Sequence, residues 1–231
     1  MPLLSGAEAI LKSLELHGVE TIFGLPGGQL DHFFDAIYQT QGRIRLIHSR
    51  HEQGAAYMAY GYARSTGKVG CYTVVPGPGV LNTTAALCTA YACNAPVLCI
   101  TGQIPSQGIG TGRGYLHEIP DQLGVMKKLT KWASRIEKPD QTPELVQQAF
   151  SQLLNGRSRP VELEMAMDVM GQKQEVELLN PENVEAPEPD PDLIEEASKI
   201  LGKAKNPLTV SYTHLRAHET EADLVCRLLL E

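Results

Sequence analysis

Residues 69–82 read VGCYTVVPGPGVLN. An apolar run that fits a strand is followed by turn-forming prolines and glycines, and a helical pattern begins at Val80. The same order, strand and then helix, recurs about six times up to residue 169. Such alternation is typical of a parallel sheet with helices on both faces, so we predict an α/β fold with about six parallel strands.

The individual elements are predicted from hydrophobic period and from turn residues. Strands are predicted at 19–24, 44–49, 69–75, 95–102, 129–136 and 159–169, and helices at 5–17, 29–39, 51–65, 80–92 and from 142 onward. The glycine-rich stretch 103–119 has no clear period and is predicted to be a long loop, which in compact domains is often functional.

Composition changes after residue 170. We predict one domain over 1–170, an acidic, proline-bearing linker over 171–189, and the truncated start of a second α/β domain over 190–210. Residues 211–231 do not continue the pattern, and we interpret them as a translation artefact of adapter sequence; a natural amphipathic helix is the alternative. We assign this tail no function.

The overall composition excludes several classes of protein. The chain has 231 residues, 42% of them hydrophobic, and a net charge of −7, which argues against a nucleic-acid partner. No apolar run is long enough to span a membrane, and the N-terminus lacks a signal-peptide pattern, so we expect a cytoplasmic protein. The five cysteines contain no C-x-x-C pair and are expected to be reduced core residues.

Four predicted strand ends carry glycines, prolines or polar residues. They are 24–28 (GLPGG), 50–54 (RHEQG), 76–82 (PGPGVLN) and 102–103 (GQ). In a parallel sheet the carboxyl ends of the strands lie along one edge, where ligands bind. Residues 77–82 also approach a dinucleotide fingerprint, but its third glycine is replaced by Asn82. The histidines at 48 and 51 do not have the spacing of a metal site, and we predict no metal ligands.

Four blocks together carry a resemblance to a known family: GVETIFGLPGG, RHEQGAAYMAYGYARSTGKVG, VVPGPGVLNTTAAL and NAPVLCITGQIP. In order and spacing they resemble the N-terminal, pyrimidine-binding domain of thiamine-diphosphate-dependent enzymes, and most of all the acetolactate synthase branch. The resemblance covers about residues 3–170 and 190–210. It implies the thiamine-diphosphate-binding fold, a 2-oxo acid substrate, and a homodimer or tetramer.

The resemblance also implies roles for individual residues. Glu52 matches the glutamate that hydrogen-bonds N1′ of the aminopyrimidine and favours its imino tautomer. Pro26 and Gly27 are expected along the pyrimidine. Val75, Pro78 and Asn82 match a block that in the family often reads TSGPGATN, and Val75–Pro76 here lacks its hydroxyl groups.

A second departure concerns the expected substrate side of the site. The branch usually reads IGTDAFQE, whereas this chain has a loop two residues longer, with Leu116 and His117 where Phe-Gln would fall. This difference puts acetolactate synthase activity proper in question. We expect His117 to contact substrate or to transfer a proton.

We therefore predict the cofactor-activating half of a 2-oxo acid decarboxylase or carboligase. In the family the diphosphate and Mg²⁺ are bound by a C-terminal domain with a Gly-Asp-Gly…Asn motif, which these residues lack, so the chain alone is expected to be inactive. FAD in the full-length protein is an open question. The alternatives are a non-catalytic binding or regulatory module and, with less support, a dinucleotide-binding oxidoreductase domain.

Overall fold

The computed structural model describes residues 1–182 and 188–208. Its centre is a six-stranded sheet in which every adjacent pair is parallel. The strands are β2 (Thr21–Gly24), β3 (Arg45–His48), β4 (Gly70–Val74), β5 (Val97–Gln103), β6 (Trp132–Ile136) and β7 (Val161–Ala166), in the order β3-β2-β4-β5-β7-β6. The predicted α/β fold with about six parallel strands is confirmed; five of these six strands lie within their predicted ranges, and β5 extends one residue beyond its range, to Gln103.

Helices cover both faces of the sheet, as predicted. They are α1 (Gly6–Leu16), α2 (Asp31–Gln39), α3 (Glu52–Thr66), α4 (Pro78–Leu81), α5 (Thr84–Ala92), α6 (Gln122–Leu129), α7 (Thr142–Leu154) and α8 (Met167–Gly171). A further helix, α9 (Pro191–Lys203), lies later in the chain and belongs to neither core. One core joins α1, α2, α7 and α8 to the sheet. A second core joins α3, α4, α5 and α6 to the other face and is rich in alanine. The two cores fix where each strand end points.

The predicted helix 80–92 is interrupted in the structure. Its first turn, α4, ends at Leu81, and α5 starts only at Thr84. The Thr83 hydroxyl donates to the Val80 carbonyl and accepts from Tyr72, while the Asn82 side chain is bonded elsewhere. Such side-chain bonds compete with the helical pattern, which accounts for the break.

Helix α6 was not predicted. It follows the long loop and starts at Asp121, whose carboxylate accepts from the backbone N–H of Gly124. Two lysines, Lys127 and Lys128, lie in its last turn, where positive charge is favourable. These capping signals were present in the sequence, but the helix is short and Gly124 lowers its intrinsic helix propensity.

The start of the predicted linker packs against the domain. Residues Lys173–Glu175 form a strand, β8, that pairs antiparallel with β1 at Leu3–Ser5. Val176 is fully buried beside Leu4. These residues therefore close the chain onto its own N-terminus, which the proline-bearing composition of 171–189 did not indicate.

Residues 190–208 contain one helix, α9, whose residues are exposed or half-buried. It agrees with the helix expected at the start of a second domain; the domain division itself stays a prediction. Residues 209–210 of that predicted segment and the tail 211–231 lie outside the described residues.

The cysteines follow the prediction only in part. All four cysteines of the described residues are free thiols, and Cys71 and Cys99 are buried as expected. Cys88, however, is exposed on α5 and Cys93 is half-buried, because α5 turns one side away from the sheet. Within the described residues no helix is both long and apolar enough to cross a membrane.

Candidate functional site

The carboxyl ends of neighbouring strands bring three of the four predicted blocks together. The 24–29 turn follows β2, Val75 and the turn at Gly77 follow β4, and Glu52 begins the helix after β3. Helix α3 starts there because the His51 ring accepts a hydrogen bond from the Gln53 backbone N–H, 3.2 Å away. Because β2, β3 and β4 are parallel neighbours, blocks that are distant in the sequence lie on one surface.

Glu52 and Asn82 form the polar centre of this surface. The Asn82 amide nitrogen donates to Glu52 Oε2 at 3.0 Å. Glu52 is half-buried and Asn82 exposed. Among the residues that the structure describes, no donor reaches the other oxygen, Oε1. One carboxylate oxygen is therefore oriented by the protein, while the other accepts no hydrogen bond from the described residues.

An apolar wall stands beside that carboxylate. The Val75 side chain, which is buried, lies between two glycines, and a Cβ on either Gly27 or Gly79 would come within 2.5 Å of its methyl groups. A Cβ on Gly79 would also lie 3.8 Å from Glu52 Oε1. Only glycine leaves room at both places, so the two glycines pack closely on Val75.

The long loop after β5 covers the Gly77 turn. Gly77 has φ +58°, and a side chain there would overlap the carbonyl oxygen of His117. Gln29, which is buried, donates from Nε2 to the Leu116 carbonyl at 3.1 Å, and its Oε1 lies 3.1 Å from His117 Nδ1. These two contacts of the Gln29 side chain hold the loop against the site.

The base of the loop is also tethered. The backbone N–H and the hydroxyl of Ser106 both donate to the Asp168 carboxylate, at 2.8 and 2.6 Å. Partial burial disfavours the charged form of Asp168, but these hydrogen bonds outweigh it and hold its pKa below the usual range. The Glu118 carboxylate accepts from the backbone N–H groups of Gly112 and Tyr115. The loop is thus internally bonded.

The structure adds polar residues beneath the site that the sequence did not point out. Gln122 accepts from the Gly77 backbone N–H and reaches Glu164, which pairs with Arg135. Glu162 and Glu164 are both fully buried. The pattern VELEM at 161–165 would ordinarily indicate one exposed face, so the two buried acids were missed.

The structure brings only some of the predicted site residues together. Glu52, Gly27, Val75 and Asn82 lie together as described. Pro26 and Pro78 are exposed at the edge of the surface, His117 is half-buried above it, and Leu116 is 74% exposed. The functional roles of all eight positions stay predictions.

The chain matches the family model described as thiamine pyrophosphate enzyme, N-terminal TPP binding domain, over residues 4–125. The match contains all the residues of the surface just described. It ends within α6 and therefore includes the long loop and Gln122.

Similarity to curated relatives covers more of the chain than the family model does. The chain is 36% identical to a probable acetolactate synthase large subunit of Methanocaldococcus jannaschii, over 90% of this chain and 36% of the relative. It is 38% identical to the acetolactate synthase large subunit of Haemophilus influenzae, over 90% and 37%. It is 37% identical to a probable 2-ketoarginine decarboxylase of Pseudomonas aeruginosa, over 72% and 30%. The chain thus spans about a third of the length of these relatives.

Proposed function

Because this chain belongs to the thiamine pyrophosphate enzymes, through their N-terminal TPP binding domain, we propose that it is the cofactor-activating part of an enzyme acting on 2-oxo acids. The reaction class is decarboxylation or carboligation, similar to that of acetolactate synthase. The observation that carries the proposal is the Glu52 carboxylate, oriented by Asn82 through one oxygen and open through the other.

Glu52 is proposed to exchange a proton with the pyrimidine nitrogen N1′. The Asn82 amide donates to Oε2, which orients the carboxylate, and we propose that Oε1 is the oxygen that meets N1′. A carboxylate placed at hydrogen-bond distance from a ring nitrogen acts in general acid–base catalysis. When bound, thiamine diphosphate supplies the nucleophilic carbon that adds to the 2-oxo acid.

The remaining predicted residues are proposed to hold the pyrimidine by shape. Val75 offers an apolar contact between Gly27 and Gly79. Pro26 and Pro78 lie exposed at the edge, where they can border a flat ring. We propose that the pyrimidine ring lies against this partly apolar surface with its N1′ towards the Glu52 carboxylate.

The small residues of α3 do not enclose Glu52 in the single chain. Ala55, Ala56 and Ala59 are buried, but they pack in the core rather than around the carboxylate. Glu52 stays half-buried. We propose that a homodimer or tetramer of the full-length protein completes the enclosure.

Other parts of the proposal concern the remaining two thirds of such a protein. The diphosphate group and Mg²⁺ are proposed to be held outside this chain; within 1–182 and 188–208 no cluster of three or more His, Cys, Asp or Glu could hold a metal ion. The proposal needs no FAD. We propose a cytoplasmic enzyme, and we expect the 231-residue chain alone to show no turnover of 2-oxo acids.

On the substrate side we propose His117 as the residue that contacts the 2-oxo acid, with Leu116 beside it. His117 lies directly over the Gly77 turn. Since the relatives carry the names of acetolactate synthases and of a 2-ketoarginine decarboxylase, the class of 2-oxo acids is favoured over any single member.

The proposal is tested by Glu52→Gln in the full-length protein that contains this chain. The amide preserves size and a hydrogen bond but cannot exchange a proton with N1′. We expect cofactor affinity to stay within about an order of magnitude, and C2–H exchange of the bound cofactor, followed by proton NMR, to slow roughly 10²–10⁴-fold.

The matched control is Glu144→Gln, because Glu144 also lies in the first turn of a helix, α7, but is exposed and away from the site. Its exchange rate is expected to equal that of the wild type. Near-normal exchange in Glu52→Gln would remove Glu52 from the mechanism and with it the main support for this function.

A further inference from the structure

Gln122 is the most completely bonded side chain beneath the candidate site. It is 1% exposed. Its Oε1 accepts from the Gly77 backbone N–H at 2.9 Å, and its Nε2 donates to the Gly102 carbonyl at 3.1 Å and to Glu164 Oε2 at 2.9 Å. One amide therefore joins the turn after β4 to the ends of β5 and β7.

The direction of these bonds requires an amide. Gly77 presents a donor, whereas Gly102 and Glu164 present acceptors, and a glutamine side chain offers one group of each kind. A methionine of similar size would leave the Gly77 N–H buried without an acceptor. A buried unpaired donor is costly, so the turn would move to regain a partner.

Glu164 fixes the amide from the other side. Its Oε1 pairs with the Arg135 guanidinium and its Oε2 accepts from Gln122. Arg135 is partly exposed, while Glu164 is fully buried. A hydrogen-bonded path thus runs from the surface at β6, through β7 and Gln122, to the backbone of Gly77.

The Gly77 turn has little freedom of its own. It is confined from above by the His117 carbonyl and from below by Gln122. The residues that follow it, Pro78 through Asn82, bring the Asn82 amide to Glu52. Any displacement of Gly77 is therefore transmitted to the orientation of the Glu52 carboxylate.

We propose that Gln122, anchored by Glu164, is a positioning residue that holds the Gly77 turn and, through Asn82, sets the orientation of Glu52. Gln122 is 1% exposed and acts through the Gly77 backbone. The inference rests on the proposed function for its catalytic consequence, but its structural part can be measured on the chain alone. At metal sites, substitution of the residues that orient the ligands typically costs about 10–100-fold in affinity or activity, and we expect an effect of similar scale here.

The first experiment measures backbone amide hydrogen exchange by NMR in the 231-residue chain. In Gln122→Met we expect the Gly77 amide to exchange roughly 10-fold or more faster than in the wild type, because its acceptor is gone. Amides in the middle of β5 are expected to keep their rates. The control is Gln148→Met, on the exposed side of α7, which should leave Gly77 unchanged.

A merely structural role for Gln122 predicts a different result. General destabilisation would accelerate the slowest amides of β4, β5 and β7 together with Gly77, and that outcome would overturn the inference. An unchanged Gly77 rate in a folded Gln122→Met variant would overturn it equally.

Gln122→Glu is the second variant, in case the methionine variant does not fold. Its new carboxyl group can donate to Glu164 only while protonated; once ionised, it would be repelled by Glu164. Among the charged groups around these acids, Glu162 lies beside Glu164, and Arg135 and Lys127 are the cations that act on them. We expect the Gly77 exchange rate, relative to the wild type at the same pH, to rise with pH. A ratio independent of pH would contradict the proposal.

The catalytic consequence is measured in the full-length holoenzyme. Gln122→Met is expected to slow C2–H exchange of the bound cofactor roughly 10-fold or more, by less than Glu52→Gln does, with KM for the 2-oxo acid at saturating cofactor within about 2-fold. A wild-type exchange rate in Gln122→Met would overturn the inference. The two proposals can fail separately. If the Gly77 amide alone exchanges faster in Gln122→Met while C2–H exchange is normal in Glu52→Gln, the positioning role is supported and the proposed function is refuted.

Discussion

Glu52 illustrates how one residue can combine a local and a functional role. An acid in the first turn of a helix is favoured by the helix dipole, and this alone would account for its place at the start of α3. The Asn82 amide, brought from the turn after β4, adds an interaction that helix stability does not require. That second contact is what distinguishes Glu52 from Glu144, which occupies the same place in α7.

His117 is the residue whose substitution we expect to change substrate choice. It has φ +70°, unusual for a residue other than glycine, and its ring nitrogen lies 3.1 Å from Gln29 Oε1. In the full-length enzyme, His117→Gln is expected to shift the ratio of kcat/KM between a small and a large 2-oxo acid about 10-fold, the scale of modest changes in a substrate pocket.

The control for this prediction is His17→Gln, at the C-cap of α1 and outside the site. It should leave the ratio of kcat/KM unchanged. If His117→Gln behaves like His17→Gln, His117 is a loop residue without a part in substrate selection.

At the scale of elements, the closest approach lies between α3 and the start of β4. A Cβ on Gly70 would overlap the backbone carbonyl of Ala59. Gly70→Ala is therefore expected to push the helix away from the sheet and to lower the free energy of unfolding by about 1–3 kcal/mol, the usual cost of overpacking. Because the obstacle is backbone, side-chain rearrangement cannot relieve it.

Gly61→Ala is the matched comparison. Gly61 lies on the exposed side of the same helix, α3, with no atom within 4 Å of the added methyl group. It is expected to raise the free energy of unfolding by roughly 0.5–1 kcal/mol through helix propensity. Urea denaturation of both variants measures the pair, and equal signs would refute the packing argument.

At the scale of the whole molecule, Glu162 links stability to pH. Burial and then the neighbouring Glu164 carboxylate raise its pKa well above the usual range, against the opposing effects of the Thr101 hydroxyl and Arg135. The native state therefore keeps a proton that the unfolded chain has released. The stabilisation that this proton provides is fully present below the pKa of Glu162 in the unfolded chain. It is lost as the pH rises from there towards the pKa of Glu162 in the folded protein.

Glu162→Gln reproduces the protonated side chain at every pH. Its free energy of unfolding relative to the wild type is expected to increase with pH above about 4.5, with a slope of up to about 1.4 kcal/mol per pH unit. Denaturation at several pH values measures the slope. The exposed Glu137→Gln should give none, and a flat difference for Glu162→Gln would mean that the residue is ionised in the native protein.

The sequence by itself determined the class of fold, the six strands and the family. A local apolar run predicts each strand of the sheet, and Gly or Pro predicts each of the main turns. Both can be read from the sequence because strand and turn preferences depend on neighbours in the chain. The Glu52 block and the Gly77 block could be recognised for the same reason, since each lies within a few consecutive residues.

Tertiary structure alone decided which groups meet. The break after Leu81, the β1–β8 pairing and the position of Gln122 depend on partners tens of residues away. The acids of VELEM look solvent-facing by their alternation, yet they are buried, because Arg135, Gln122 and Thr101 reach them from other elements. Local patterns carry no information on such partners, since burying a charge is decided by what surrounds it in space.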